Sequence, residues 1–487
     1  MTEKCKLRWI YCISAVFIVL NTILIANEFY WLSLIPAVLF ILLLYFFSLD
    51  KLIFLIVLLT PLAINVKNIS MGFAISIPTE PLIFGVMLLF FIKLFYKNDF
   101  DIKIIKHPVT IAIIIYFFWL LITSFTSKMP LVSLKYILAR LWFIVCFYLI
   151  GIQLFKKYKN IKLFPWFYVI SLIGIIIYTT YNHSLYGFSN HSAHWVMTPF
   201  YNDHTAYGSA ISFFIPVFLF YSFNKKHTKT IKIISFIISL ILVFAVILSY
   251  SRAAWISLII ALLIYFIVLL KINFKWLLFA SAIFTGLFFI FQNRIILELE
   301  KNKQESSSKF IENIQSISNI TSDASNLERI NRWECAFRMF SERPVFGWGP
   351  GTYQFLYAPF QRTKEKTIIS TNVGNKGNAH SEYIGPLAES GILGMLTVLC
   401  IIICVVYTGI KVYKNTKDKE TKLLSLSFLL GLITYFVHGI MNNFLDTDKS
   451  SVPFWGFIAI IVALDIYHKE KIPTKDLIPT NFKKQKK

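Results

Sequence analysis

The sequence predicts an all-α polytopic membrane protein with about 12–14 transmembrane helices and one large outer loop holding short helices. Three observations predict it. Of the 487 residues, 57% are hydrophobic and 48 are Phe, while only 15% are charged, against roughly 25% in an ordinary soluble domain. Mean hydropathy is +0.66. Apolar runs of about 20 residues, the length that crosses a bilayer core, fill most of the chain. Finally, every second loop between those runs is basic. This composition excludes a soluble globular enzyme, a disordered chain and a fibrous repeat.

The runs fall at 9–26, 29–48, 52–66, 80–96, 109–126, 132–154, 163–181, 205–223, 231–249, 253–270, 273–291, 383–409, 423–441 and 452–467. The runs 52–66 and 80–96 are short enough to be re-entrant or merged. Lys4, Lys6 and Arg8 precede the first run as in a signal peptide. No small-residue cleavage site follows, so an uncleaved first span is expected. Lys93, Lys97, Lys103 and Lys106 form one basic loop; Lys156, Lys157, Lys159 and Lys162 the next; Lys225, Lys226, Lys229 and Lys232 a third. Lys411, Lys414, Lys417, Lys419 and Lys422 follow, and the tail ends in Lys-Lys-Gln-Lys-Lys. Residues 180–205 hold no Lys or Arg. Basic residues stay on the cytoplasmic side, so both termini are expected there. The net charge of +23 is thus an orientation code and implies no nucleic-acid partner. Five segments are expected: 1–204, an N-terminal transmembrane bundle; 205–291, core transmembrane helices; 292–380, the large outer loop; 381–467, C-terminal transmembrane helices; and 468–487, a basic cytoplasmic tail.

Within the outer loop, Glu305 to Asn326 is rich in Ser and Asn. Ser325 or Asn326 can cap a helix from about Leu327 to Phe340, with Glu328 in its first turn. Pro344 and Gly347-Trp348-Gly349-Pro350-Gly351 end it. Gln361 to Asn378 then leads to His380. Six scattered cysteines, only Cys335 of them in this loop, provide no disulfide framework. Cys400 and Cys404 read as small hydrophobes within a span.

Polar clusters gather at the outer face. In Ser249-Tyr250-Ser251-Arg252-Ala253-Ala254-Trp255, Arg252 opens a span. Free N–H groups at a helix start beside a guanidinium suit an anion; simple anchoring by an interfacial Arg and Trp is the alternative. Arg329 and Arg332 share a helix face, with Trp333 one turn from Arg329. Two such guanidiniums suit a diphosphate; local ion pairs with Glu328, Glu334 and Arg338 are the alternative. The three glycines of 347–351 allow close backbone approach to a ligand, or a plain turn. His380 sits just before a span, where it can act as a base or make an interfacial hydrogen bond. Glu389 lies nine residues on, where a carboxylate is expensive and so a functional candidate. Asp203 and His204 open another span. His183, His191, His194 and His204 share one outer loop, but no carboxylate–histidine constellation accompanies them, so no metal site is expected. Lys135 and Arg140 flank Tyr136 within a span; they face a cavity near a phosphate, or Lys135 snorkels to the interface.

Taken in order, these clusters resemble the O-antigen ligase and O-antigen polymerase superfamily. The family pattern has a Ser-Arg-Gly/Ala-x-Trp motif opening a span, here Ser251 to Trp255. An Arg-x-x-x-Trp helix follows, here Arg329 to Trp333, then a Pro-x-x-Gly-x-Gly-x-Gly-like turn, here Pro344 to Gly351. A His-Asn-x-x-Leu…Glu-x-Gly motif enters the next span, here His380 to Gly391. In this chain the Asn beside the His is Ser381, followed by Glu382, and Trp348 stands between the glycines. The resemblance covers residues 200–440 by motif and the first 200 by hydropathy profile.

It implies a C-type glycosyltransferase-like fold in the bacterial cytoplasmic (inner) membrane, with the site facing the periplasm. The implied donor is an undecaprenyl-diphosphate-linked glycan, transferred with inversion and with no metal or other cofactor. Arg252 and Arg329, with Arg332 behind them, would bind the diphosphate. His380 would be the base, with Glu382 competing for that role and Glu389 a further catalytic candidate; Asp203, His204, Trp333 and Arg140 are additional site candidates. The implied acceptor is lipid A–core in a ligase, a growing glycan in an O-antigen or exopolysaccharide polymerase, or a protein in an O-oligosaccharyltransferase. A polysaccharide transporter is the different-class alternative, but its polar groups would lie at the midplane on repeated halves, whereas here they collect at one face. Of nine Arg residues, seven fall on the expected outer side, where topology does not favour them.

Overall fold

The computed structural model describes residues 3–69, 73–97, 100–272, 324–362 and 377–469. The run expected at 273–291, most of the Ser/Asn-rich stretch and the basic tail beyond residue 469 lie outside the described residues. Among the described residues, eleven helices are long and apolar enough to cross a membrane. The protein is an all-α, multi-pass membrane protein.

Residues 1–56 form one unit, carrying α1 (Glu3–Ala26), α2 (Ile35–Phe47) and the start of α3 (Leu49–Leu59). The span window of α1, Leu7–Ala26, buries no residue. Residues 57–487 form the second unit.

The run expected at 52–66 is not a single span. α3 stops at Leu59, and Ile64–Ile69 and Phe73–Ile77 pair as an antiparallel hairpin, β1 and β2. Thr60-Pro61 ends the helix because the residue before proline avoids helical geometry. The alternating β-branched residues Ile64, Val66, Ile75 and Ile77 then favour strands. Hydropathy alone does not separate these two states.

The remaining helices follow the expected order. They are α4 (Thr79–Lys97), α5 (Pro108–Phe125), α6 (Pro130–Leu154), α7 (Tyr158–Leu185), α8 (His204–Phe223), α9 (Lys229–Leu248) and α10 (Arg252–Leu269). α11 (Ala324–Glu342) belongs to the outer loop; α12 (Ile384–Asn415), α13 (Lys419–Met441) and α14 (Asp448–Tyr467) close the chain. α6 contains a π-helical stretch at Ile144–Leu149, just beyond Arg140. α14 is buried from Asp448 to Asp465, so it forms the centre of the bundle. Its far end is tied by His107 Nε2 to Asp465 Oδ2 at 3.3 Å. At the same end, buried Glu420 on α13 pairs with Lys162 and Lys226.

α11 starts close to its expected position and ends at Glu342, before Pro344. Cys335, Ala336 and Met339 on its inner face pack with Tyr353, Tyr357, Ala379 and Ala388. That small core fixes α11 against the start of α12. All six cysteines are free thiols.

Candidate functional site

The site forms where α12 begins. Residues 378–383 reach α12 through a tight turn in which His380 has φ 50°. A non-glycine residue in that region is strained and persists only when its surroundings hold it. Several bonds hold it. Glu382 N–H donates to Gly439 O at 2.8 Å. Tyr383 OH donates to Phe436 O at 2.7 Å. Ser381 Oγ accepts from Tyr383 and Ile384 N–H, both at 3.3 Å. Ser381, at the position where the resemblance expects Asn, therefore acts as a cap for the start of α12.

Glu382 is the hub of a buried polar network. Its Oε1 accepts from Tyr435 OH at 2.6 Å, Phe444 N–H at 2.9 Å and Leu445 N–H at 3.0 Å. Its Oε2 lies 3.9 Å from Arg140 Nη2. Burial pushes the Glu382 carboxyl above its ordinary range, and Arg140 opposes that shift. Arg140, 5% exposed, donates from Nη2 to Asp446 Oδ1 at 2.9 Å and from Nη1 to Leu445 O at 2.8 Å. Its Nε and Nη2 also reach Tyr136 OH. Lys135, by contrast, is exposed.

This network lines a cavity of about 180 Å³. Arg140, Glu382, Glu389, Asp446, Asn378 and Asn443 supply polar groups to its wall, and Tyr116, Tyr136, Tyr353, Tyr435 and Trp455 supply rings. Aromatic faces between planar polar groups suit an amphipathic ligand with many hydroxyls. Arg252, Arg329, Arg332 and His380 do not line this cavity, although Ala379 and Ser381 on either side of His380 do.

A second group, of arginines and histidines, is the electrostatic neighbourhood of His380 and His204. The charge environment of His380 includes Arg329 and Arg332, opposed by Glu328 and Asp203. Burial first, then these two arginines, pushes the imidazole down to about 4, so it is neutral at pH 7 and a weaker base than a free imidazole. His204 interacts electrostatically with Arg252, Arg329, Asp203 and His194. Its ring centroid lies 4.1 Å from that of His194. His438 on α13 interacts with Arg329, Asp203 and His204. Arg252 and Arg329 thus share His204 as a neighbour, and Arg329 joins that group to His380.

Local sequence explains this convergence. Asp203 caps α8 by accepting from Thr205 and Ala206 N–H at 2.7 and 2.8 Å. Ser251 caps α10, immediately before Arg252. Gly208 lets the two helix starts approach, since a Cβ there would lie 2.9 Å from Ser249 Oγ and 3.0 Å from Ser251 Cβ. Arg329 Nε donates to Met441 O at 3.3 Å, at the end of α13.

Arg332 has a different setting from Arg329. Its Nε pairs with Glu328 Oε1 at 2.8 Å, and its guanidinium lies 4.1 Å over the Tyr357 ring. Trp333 is half-buried one residue along. Arg338 pairs with Glu334 at 3.6 Å, as the local ion-pair alternative expects.

Glu389 lies at the kink of α12. Gly391 there has φ 71° and ψ −170°, which breaks the helix. The carbonyls freed by the break accept from the glycine turn: Trp348 N–H to Ala388 O at 3.2 Å and Gly349 N–H to Glu389 O at 2.7 Å. Trp119 Nε1 takes Ser390 O at 2.8 Å. The Glu389 carboxylate accepts from Gly351 N–H at 2.9 Å and Tyr353 N–H at 3.0 Å. The turn and the kink therefore lock each other, and Glu389 is one of the fasteners.

Tyr136, Tyr435, Asp446 and His438 escaped the sequence reading. Asp446 lies in a short polar segment between two spans, where a carboxylate is unremarkable, so it carried no signal like that of Glu389. Tyr136 and Tyr435 carry no such signal.

A strongly apolar bundle in which Arg252, Arg329, His204 and His380 share one electrostatic neighbourhood near a polar cavity defines a multi-pass membrane protein. Residues 237–399 match the family model described as O-antigen ligase. It is 24% identical over 247 residues to an uncharacterized protein of Haemophilus influenzae, covering 50% of this chain and 59% of that protein. It is also 24% identical over 373 residues to the teichuronic acid biosynthesis protein TuaE of Bacillus subtilis, covering 72% of this chain and 71% of that protein.

Proposed function

We propose that the chain transfers a glycan from undecaprenyl diphosphate to a carbohydrate hydroxyl, with inversion, at the periplasmic face of the inner membrane. The observation that carries this reading is the shared neighbourhood of Arg252, Arg329 and His380, built around His204 and Asp203. The diphosphate binds at Arg252 and Arg329, with Arg332 as a more distant contributor to the field. The acceptor approaches this group along the turn at 378–383, whose Ala379 and Ser381 line the cavity beside Arg140 and Glu382 while His380 lies between them.

The acceptor hydroxyl oxygen attacks the anomeric carbon, and His380 takes the hydroxyl proton. The bond from that carbon to the diphosphate oxygen breaks, and the electron pair leaves on undecaprenyl diphosphate. Fixed guanidiniums stabilise the developing negative charge in the manner of an oxyanion hole, without a metal or other cofactor. Glu382 orients residues 379–383 and competes with His380 as base. Glu389 holds the glycine turn that closes the site.

The five segments from 1–204 to 468–487 keep their roles here, with 292–380 as the periplasmic loop and both termini cytoplasmic. Ligation to lipid A–core is the first reading of the acceptor, since the family description names a ligase. Polymerisation is the second, favoured by TuaE, whose name concerns teichuronic acid biosynthesis. Surface-glycan blots of a deletion strain separate them. Loss of a ligase leaves lipid-linked polymer unattached. Loss of a polymerase leaves single repeat units attached, and a shift in protein mobility instead would place the acceptor on protein.

A further inference from the structure

We propose that the turn Pro344–Trp348 inserts into the bilayer leaflet beside it, so that the outer loop is anchored in lipid next to the site. The occupant of its apolar face is the phospholipid that surrounds the helices.

The depth of the turn is set by α12. Residues 390–410 form an uncharged run of 21 residues, bounded by Glu389 and Lys411, which matches the roughly 20 needed to cross the hydrocarbon core. The turn is fastened where that run begins. Ile392 N–H donates to Pro344 O at 3.0 Å, and Trp348 N–H to Ala388 O at 3.2 Å. A Cβ on Gly391 would lie 2.0 Å from Val345 O, so the two backbones are in direct contact.

A second helix gives the same level. The Phe346 ring stacks on Trp119 of α5 at 5.8 Å, with the planes 14° apart. Trp119 Nε1 in turn bonds Ser390 O. A Trp with its ring in apolar surroundings and its N–H satisfied is typical of the interfacial belt.

Val345 is 49% exposed and Phe346 43%, despite this position between two membrane helices. Ile392, Leu393 and Leu396 on α12 and Phe118 on α5, close in sequence to the residues that fasten the turn, are exposed apolar side chains as well. Arg343, 4.6 Å over the Trp348 ring, puts a cation at headgroup level, where phosphates lie. An apolar tip with a basic collar is the pattern of an interfacial membrane anchor.

The test places benzoylphenylalanine at position 346, separately at position 345, and at position 334 as a control, in the full-length protein in native membranes. Glu334 is exposed on the same loop and is not fastened to a membrane helix by any of these bonds. After irradiation, mass spectrometry identifies the adducts. Phospholipid adducts at 346 and 345 at least five-fold above those at 334 are expected. Adducts dominated by protein or glycan, or lipid adducts no higher than at 334, would overturn the proposal. Position 345 provides an independent reading if the 346 variant does not accumulate.

Discussion

At the residue scale, the candidate chemistry rests on a few side chains in unusual settings. Arg252 and Arg329 both act on His204, so a bound diphosphate would meet both. Arg252→Ala and Arg329→Ala should each lower surface glycan at least about 100-fold at unchanged protein level, the usual cost of losing a transition-state anion donor. Quantitative blotting of glycan and protein checks this. Arg332→Ala should instead destabilise α11, because it removes the buried Arg332–Glu328 ion pair. His380 carries a pH prediction. Its imidazole is lowered from the ordinary 6.5 to about 4. Between those values the unfolded chain binds the proton and the folded chain does not, so stability falls as pH drops from about 6.5 towards 4. His380→Gln should remove about 1–3 kcal/mol of that acid sensitivity. Thermal unfolding in detergent at pH 7.5 and pH 4.5 measures it. The residue identities were legible in the sequence because Arg is rare and seven of nine fall on the expected outer side. The division between Arg329 at the shared site and Arg332 in the loop core was not, since residues three apart on a helix look alike until their neighbours are known.

At the element scale, the strongest constraint is the mutual lock between the glycine turn and the kink of α12. Gly391 needs φ 71°, and Val345 O occupies the space of any Cβ. Gly391→Ala should cost about 1–3 kcal/mol from backbone strain alone, and more from the clash. A melting temperature lowered by several degrees and weakened surface glycan are expected. Gly208→Val should separate the starts of α8 and α10 and reduce glycan transfer with a smaller loss of stability. Most helices were readable from hydropathy to within a few residues. The exceptions have physical causes. The hairpin at 64–77 resembles a short span because its apolar residues are the same ones a span uses. The kink in α12 was marked only by Gly391, and its purpose appears when the turn at 344–351 meets it.

At the scale of the whole molecule, the site is assembled across long sequence separations. Glu382 meets Tyr435 and Leu445 on and beyond α13, and Arg140 meets Asp446, about 300 residues away. No local pattern contains such a meeting, so the cavity lining was the least legible part. The one-sided grouping of Arg and His was legible, because charge within an apolar chain stands out. The direct measurement is transfer by the purified full-length protein in proteoliposomes, supplied with an undecaprenyl-diphosphate-linked glycan and candidate acceptors. The account predicts glycan on a carbohydrate acceptor, stoichiometric release of undecaprenyl diphosphate, and loss of both in Arg329→Ala. Movement of intact lipid-linked glycan across the bilayer with no glycosidic bond formed, or full transfer by Arg329→Ala, would contradict it.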